Sequence, residues 1–155
     1  MRQIKAKRPF YQGRDWDSKL ELSIYKALEL LTKVNPSIKI ALQEKVLVRP
    51  QSRNYPAKHW KVDFMLWLEH DSKKRLYVEV KGQPQKHDEL KEKVKQIDIV
   101  SPDAHDRLIV VVPNSYHRKS RGKRIDLRAS LARSIRVPVM HQRDLRSYIS
   151  AYFRT

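Results

Sequence analysis

The run Val62-Asp63-Phe64-Met65-Leu66-Trp67, followed after a polar interval by Arg75-Leu76-Tyr77-Val78-Glu79-Val80-Lys81, decides how this chain folds. Both runs are rich in the aromatic and β-branched side chains that suit a pleated, half-buried surface, and residues 70–74 between them are mostly polar. The pattern predicts two strands, 60–69 and 75–81, joined as a hairpin. Glu79 and Lys81 are two residues apart, so pleating turns both to one face while Leu76, Val78 and Val80 take the other. Asp63 stands in so apolar a setting that its carboxylate needs a partner or a metal, and hairpin pairing can bring it beside Glu79.

Outward from the hairpin, Leu20, Ile24, Ala27, Leu28, Leu31 and Val34 recur at three and four residues, predicting a helix over 17–34 that ends before Asn35-Pro36. Ile38, Ile40, Leu42, Val46 and Val48 alternate at period two, a strand with one interruption at Glu44, where a bulge is expected. Pro50, Asn54 and Pro56 mark a loop over 49–59. Beyond Gly82-Gln83-Pro84, which reads as a turn, residues 87–99 form a charged helix with Leu90, Val94 and Ile97 inward. Leu108-Ile109-Val110-Val111-Val112 is apolar at every position, as a central strand covered on both faces requires. A basic loop (116–124), a short helix (126–133), a strand limited to an edge by Pro138 (135–140) and a last helix (143–152) complete one domain of 155 residues. Residues 1–14 read as a basic arm. The fold class expected is α/β, a mixed central sheet flanked by helices in the order α-β-β-β-α-β.

Thirty-four Lys and Arg against 17 Asp and Glu give a formal charge of +17, which favours a polyanionic partner, nucleic acid first. No segment approaches the roughly 18 consecutive apolar residues of a spanning helix, so a soluble, cytoplasmic protein with no membrane partner is expected. The lack of cysteine excludes disulfides, zinc fingers and a thiol nucleophile.

Asp63 and Glu79 side by side repel one another, a tension that a divalent cation relieves; hard oxygen donors of this kind suit Mg2+, with Mn2+ able to substitute. Hydrolysis of a phosphodiester needs neutralisation of developing negative charge and delivery of a deprotonated water, tasks that a metal and the Lys81 ammonium can share. Val62-Asp63, the hairpin and Glu79-Val80-Lys81, set in the order helix, three strands, helix and strand over residues 17–112, resemble the PD-(D/E)xK nuclease superfamily and its restriction-endonuclease-like core. Val62 stands where that signature has proline. The resemblance implies a metal-dependent DNA endonuclease with Asp63, Glu79 and Lys81 at its centre, and it implies an acidic residue from the first helix. At about 100° per residue Glu21 falls at the margin of the apolar stripe beside Leu28, whereas Glu29 should face solvent, so Glu21 is the candidate catalytic and metal-binding residue. Asp17-Ser18-Lys19-Leu20-Glu21-Leu22 also resembles the opening helix of short phage junction-resolving endonucleases and of transposase nuclease subunits.

Plainer readings stand beside these. Glu79 and Lys81 fit a solvated ion pair, and Ser18-x-x-Glu21 fits a capping box. His117-Arg118-Lys119-Ser120-Arg121-Gly122-Lys123-Arg124 packs five cations into eight positions, suited to phosphate contact through Arg118, Lys119, Arg121, Lys123 and Arg124, or to plain solvation. Trp60, Trp67 and Tyr116 read as packing residues rather than base-stacking ones, and the six histidines lack paired ligand spacing. The expected partner is DNA, with a homodimer or a sequence-reading protein as further candidates. A non-catalytic nucleic-acid-binding protein, or a subunit active only inside a larger nucleoprotein complex, are the rival readings.

Overall fold

The computed structural model describes residues 10–84 and 87–154. Phe10–Tyr11 (β1) and Arg14–Asp15 (β2) pair antiparallel and lead through the buried Trp16 into α1 (Lys19–Val34). Residues 10–14 therefore belong to a small hairpin rather than to the expected arm; residues 1–9 lie outside the described residues. Ser18 caps α1, its Oγ accepting from Glu21 N–H at 3.0 Å, and the Asn35 N–H closes the last turn on the Leu31 carbonyl at 2.8 Å. Val34, included in the apolar stripe from its spacing, is 73% exposed: the buried stripe ends at Leu31.

β3 (Ile38–Arg49), β4 (Lys58–Leu68) and β5 (Asp71–Val80) form an antiparallel meander. The β4–β5 turn is only Glu69-His70, tighter than the loop expected over 70–74, and a register shift after Trp67 absorbs the added strand residues. Next come α2 (His87–Val100), the single turn α3 (Pro102–His105), β6 (Leu108–Val112), and a separate two-stranded ribbon of β7 (His117–Ser120) and β8 (Lys123–Asp126), where a loop was expected. After α4 (Leu127–Ile135) the chain enters β9 (Val139–His141), and α5 (Leu145–Tyr152) follows a 3-10 turn. The main sheet runs β3-β4-β5-β6-β9, antiparallel over its first three strands and parallel from β5 onward. β9 is an edge strand, as Pro138 required, beginning one residue after it.

Helices cover both sheet faces. Ile24, Leu28 and Leu31 of α1 pack with Leu145 and Ile149 of α5 on one face; Leu90, Val94 and Ile97 of α2 pack with Leu127, Leu131 and Ile135 of α4 on the other. β6 needs its uniform apolarity because Ile109 and Val111 feed the first core while Leu108, Val110 and Val112 feed the second. Ile38, Ile40 and Leu42 join the α1 side, yet Val46 and Val48 join the α2 side; on β4 likewise, Phe64, Leu66 and Leu68 take the α1 side and Trp60 and Val62 the α2 side. An uninterrupted period-two strand would keep each of these sets on one face. The reversal falls between the pairs Leu42↔Phe64 and Glu44↔Val62, where Gln43 faces Asp63, and Gln43 has a left-handed backbone with φ of 55°. The irregularity is thus at Gln43, one residue before the Glu44 bulge expected from the pattern.

Candidate active site

β4 and β5 stop pairing after the rung Phe64↔Val78, at the point where Asp63 would next oppose Glu79. Side chains take over from the ladder at this fork. The Val80 N–H donates to Asp63 Oδ2 at 2.8 Å, while the Asp63 N–H is directed at the Glu79 carboxyl. The Glu79 side chain is itself hydrogen-bonded to that of Asp63, and across β3 the Gln43 side chain is bonded to Asp63 as well. Hairpin pairing therefore does bring Asp63 beside Glu79. On the far side, Gly82 abuts α1 so closely that an added Cβ would lie 3.7 Å from Leu20 Cδ2, placing the first turn of α1, with Glu21, against the end of β5.

Three acidic groups share this low-dielectric setting, and each is pushed up. Glu21 is 5% exposed; burial, then Asp63, then Asp17 raise its carboxyl from 4.5 to about 7, with Arg14 opposing. Burial raises Asp63 against the downward pull of the Val80 N–H, Glu79 and Gln43. Glu79 is raised well above the usual range, first by burial and then by the Asp63 charge, and its Oε2 is buried with no hydrogen-bond partner. Glu79 donating to Asp63 accounts for the opposite effects of their shared hydrogen bond, which raises Glu79 and pulls Asp63 down against its burial. Ser18 supplies the N-cap half of a capping box, but the Glu21 charge bears on Asp63. Glu29 is not simply solvated: it accepts from Tyr11 Oη at 3.1 Å and Gln12 Nε2 at 2.8 Å, turned away from the fork toward the β1–β2 hairpin.

Lys81 follows β5 directly and is half-buried, its N–H bonded to the Val111 carbonyl at 2.9 Å. Its charge, after burial, lowers the pKa of His87 at the start of α2. The buried Tyr116 hydroxyl donates to the Gln83 carbonyl at 3.2 Å, and so must accept from His87, which fixes the imidazole with its proton on Nε2. Burial lifts the Tyr116 hydroxyl to about 12, so it stays a donor. Gln83 sits in a bend, as expected, and contributes its carbonyl rather than its side chain to this pair.

The structure brings the predicted Glu21, Asp63 and Glu79 within reach of one another's charges and sets Lys81 at the end of β5, where its charge acts on His87; the cation whose charge lowers Glu79 is Lys93 of α2, which sequence reasoning missed together with Gln43, Asp17, His87 and Tyr116. Asp17 carried a visible signal, since it precedes the N-cap one turn from Glu21; a left-handed Gln43 carried none. The predicted phosphate-binding residues Arg118, Lys119, Arg121, Lys123 and Arg124 are all exposed on the β7–β8 ribbon. Trp60 and Tyr116 are buried, consistent with packing. Among the described residues, no group of three or more His, Asp and Glu side chains forms a ready-made metal cage, and no helix is long and apolar enough to cross a membrane.

A search among curated proteins finds no match. Among solved structures, protein VC1899 from Vibrio cholerae is similar in fold, with a TM-score of 0.53 and 15% sequence identity over 86% of this chain. The similarity covers 33% of the VC1899 chain, so this chain spans about a third of that protein's length. The family described as "Protein of unknown function (DUF1064)" matches residues 1–106, a span that holds Glu21, Gln43, Asp63, Glu79 and Lys81, and the chain belongs to that family.

Proposed function

We propose that this protein is a Mg2+-dependent DNA endonuclease of the restriction-endonuclease-like, PD-(D/E)xK kind, acting through Asp63, Glu79, Lys81 and Glu21. The observation that carries the reading is the fork itself. A buried carboxylate oxygen of Glu79 without a partner lies beside Asp63, with Glu21 close enough to feel the Asp63 charge. The donor set fits a hard divalent cation. Mg2+ keeps several waters and binds through one or two carboxylates plus substrate phosphate oxygens, so a two-carboxylate site does not need a closed protein cage. When bound, the cation would supply charge neutralisation at the phosphate and relief of the carboxylate repulsion.

The chain's own residues have separable tasks. The Val80 N–H and Gln43 hold Asp63 in one orientation. Glu79, kept dry beside Asp63, holds a proton more tightly than an ordinary carboxyl, and an arriving positive charge would favour its release. Lys81 orients the attacking water or steadies the charge developing on the phosphate. Glu21, lifted to about 7, is poised to take up a proton near neutral pH. The +17 charge and the exposed cations of the ribbon would hold the substrate backbone.

The test is incubation of the purified chain with linear, supercoiled and four-way-branched DNA in Mg2+, Mn2+ or chelator. Metal-dependent products from one of these substrates are expected. DNA bound but never cut under any of these conditions would leave the non-catalytic reading in place.

A further inference from the structure

We infer that the β7–β8 ribbon is a probe for the major groove of B-form duplex DNA, so that the substrate is a duplex gripped through its groove rather than along its backbone alone; this rests on the reading above. The ribbon is a two-stranded sheet separate from the main one. An isolated hairpin is marginal in water, and this one carries two further unfavourable features. Lys119 and Arg124 are direct cross-strand partners, and like charges in that position repel. At the tip, Arg121 and Gly122 both have positive φ, 52° and 75°. Glycine accepts that conformation, but an arginine there is strained where asparagine or aspartate is the ordinary choice. The one carboxylate of the ribbon, Asp126, lies at its root opposite His117, and residues 117–125 contain no Asp or Glu to balance the charge toward the tip. A polyanion in contact with the ribbon relieves it.

Shape selects the polyanion. The major groove of B-DNA, about 12 Å wide and about 8.5 Å deep, admits a two-stranded ribbon, and the minor groove at about 6 Å does not. Four residues per strand at about 3.4 Å each give the ribbon a reach of about 13 Å, enough to put Arg121 at base edges while its root stays at the phosphates. The major groove of A-form RNA is too deep and narrow for such entry. At the root, a cleft of about 360 Å³ is lined by His117, Arg124, His141 and Arg143 and by one carboxylate, Asp126, which caps α4 by accepting from the Arg128 N–H; the two arginines offer a backbone phosphate its contacts there. Tyr116, the residue before β7, is bonded to Gln83 and His87, so the ribbon is anchored on the segment that follows Lys81.

The experiment measures equilibrium binding in chelator, where no cleavage occurs, to one duplex sequence in three forms: plain DNA, DNA with glucosylated 5-hydroxymethylcytosine filling the major groove, and RNA. We expect glucosylation and the RNA form each to weaken binding at least tenfold, and netropsin in the minor groove to leave it unchanged. A chain carrying Arg118→Ala, Lys119→Ala, Arg121→Asn and Lys123→Ala, in which Asn keeps the turn, should lose at least tenfold on plain DNA and show no further penalty for glucosylation. Equal binding to plain and glucosylated duplex, competition by netropsin, or RNA bound as tightly as DNA would each overturn the groove assignment. Because the modified substrates probe the unaltered protein, folding of the ribbon variant is not at issue. Metal-dependent cutting with no effect of glucosylation sinks the groove assignment alone; groove-dependent binding without cutting sinks the nuclease reading alone.

Discussion

Glu21→Gln in metal-free protein should raise the melting temperature at pH 8, the reverse of what loss of a structural carboxylate would do. Glu21 sits at 5% exposure with its carboxyl lifted from 4.5 to about 7 by burial, Asp63 and Asp17 in that order. Between those two values the folded protein holds a proton that the unfolded chain has released. The native state binds more protons there, so stability is fully present below about 4.5, falls as pH rises and is lost above about 7. At about 1.4 kcal/mol per pH unit the shift, in which the opposing Arg14 charge is already included, sets a ceiling of about 3.5 kcal/mol, which solvent screening reduces to about 2 kcal/mol. Glutamine has the shape of the protonated acid and leaves the backbone N–H on Ser18 untouched. For a domain of this size about 2 kcal/mol corresponds to a rise of roughly 4 to 8 °C. At pH 4, where Glu21 is already protonated, the two proteins should melt together. Mg2+ or Mn2+ should invert the order at pH 8, stabilising the unaltered chain more than the variant. Melting followed by circular dichroism from pH 4 to 8, in chelator and in metal, reads all of this. A variant that melts no higher than the unaltered chain at pH 8 in chelator would refute the buried-charge reasoning. A metal-induced shift that survives the substitution in full would remove Glu21 from the metal site.

Glu79→Ala and Lys81→Ala should each lower cleavage by about 100-fold or more, while DNA affinity in chelator stays within a few-fold, or rises for Glu79→Ala, in a filter-binding assay; near-normal turnover in both would dismiss the site. Gln43→Gly should be more stable than Gln43→Ala by about 1 kcal/mol in urea unfolding, because φ of 55° favours glycine; in an ordinary strand the order is the opposite. Both Gln43 variants release Asp63 from a bond that lowers its pKa, so the rise of cleavage with pH should move to higher pH in each. Tyr116→Phe, which frees His87 and the Gln83 carbonyl, should reduce kcat about tenfold with KM unchanged and with a stability loss of about 1 kcal/mol; a change confined to KM would dissociate Tyr116 from the placement of Lys81.

The fold was legible where periodicity and burial agree. The α1 stripe and the uniformly apolar β6 each report a helix or strand pressed against a core, and both lie where the pattern put them. Pairing of Asp63 with Glu79 was also readable, though for a reason the pattern did not contain. The turn is tighter than the sequence suggests, and the register shift after Trp67 restores the alignment that a longer loop would have produced. The ribbon was read as a loop because strands are recognised by an apolar face, and β7 and β8 stand off the core with Ile125 as their only aliphatic residue. Val34 marks the opposite error, an apolar residue in phase with a stripe that has already run past its covering elements.

Gln43 shows why the chemistry of the site was less legible than its residues. Left-handed backbone is costly for a side chain such as Gln by roughly 1 kcal/mol or more, and no local signal distinguishes this Gln from others in a strand. The same few ångströms hold a carboxylate inside an apolar strand, a second with a buried unpaired oxygen, and a pleat that changes face on two neighbouring strands. A structural role does not require this combination, because apolar residues of similar volume commonly replace buried charged groups at no loss of stability. Left-handed backbone occurs also at Gln12, Arg121 and Arg136, but among the described residues it adjoins two acidic side chains pushed up by burial at Gln43 alone, and that coincidence supports a function at the fork. Double substitution of Asp63 and Glu79 by Asn and Gln should then yield a metal-free protein more stable at pH 8 than the natural one, and unable to cut DNA.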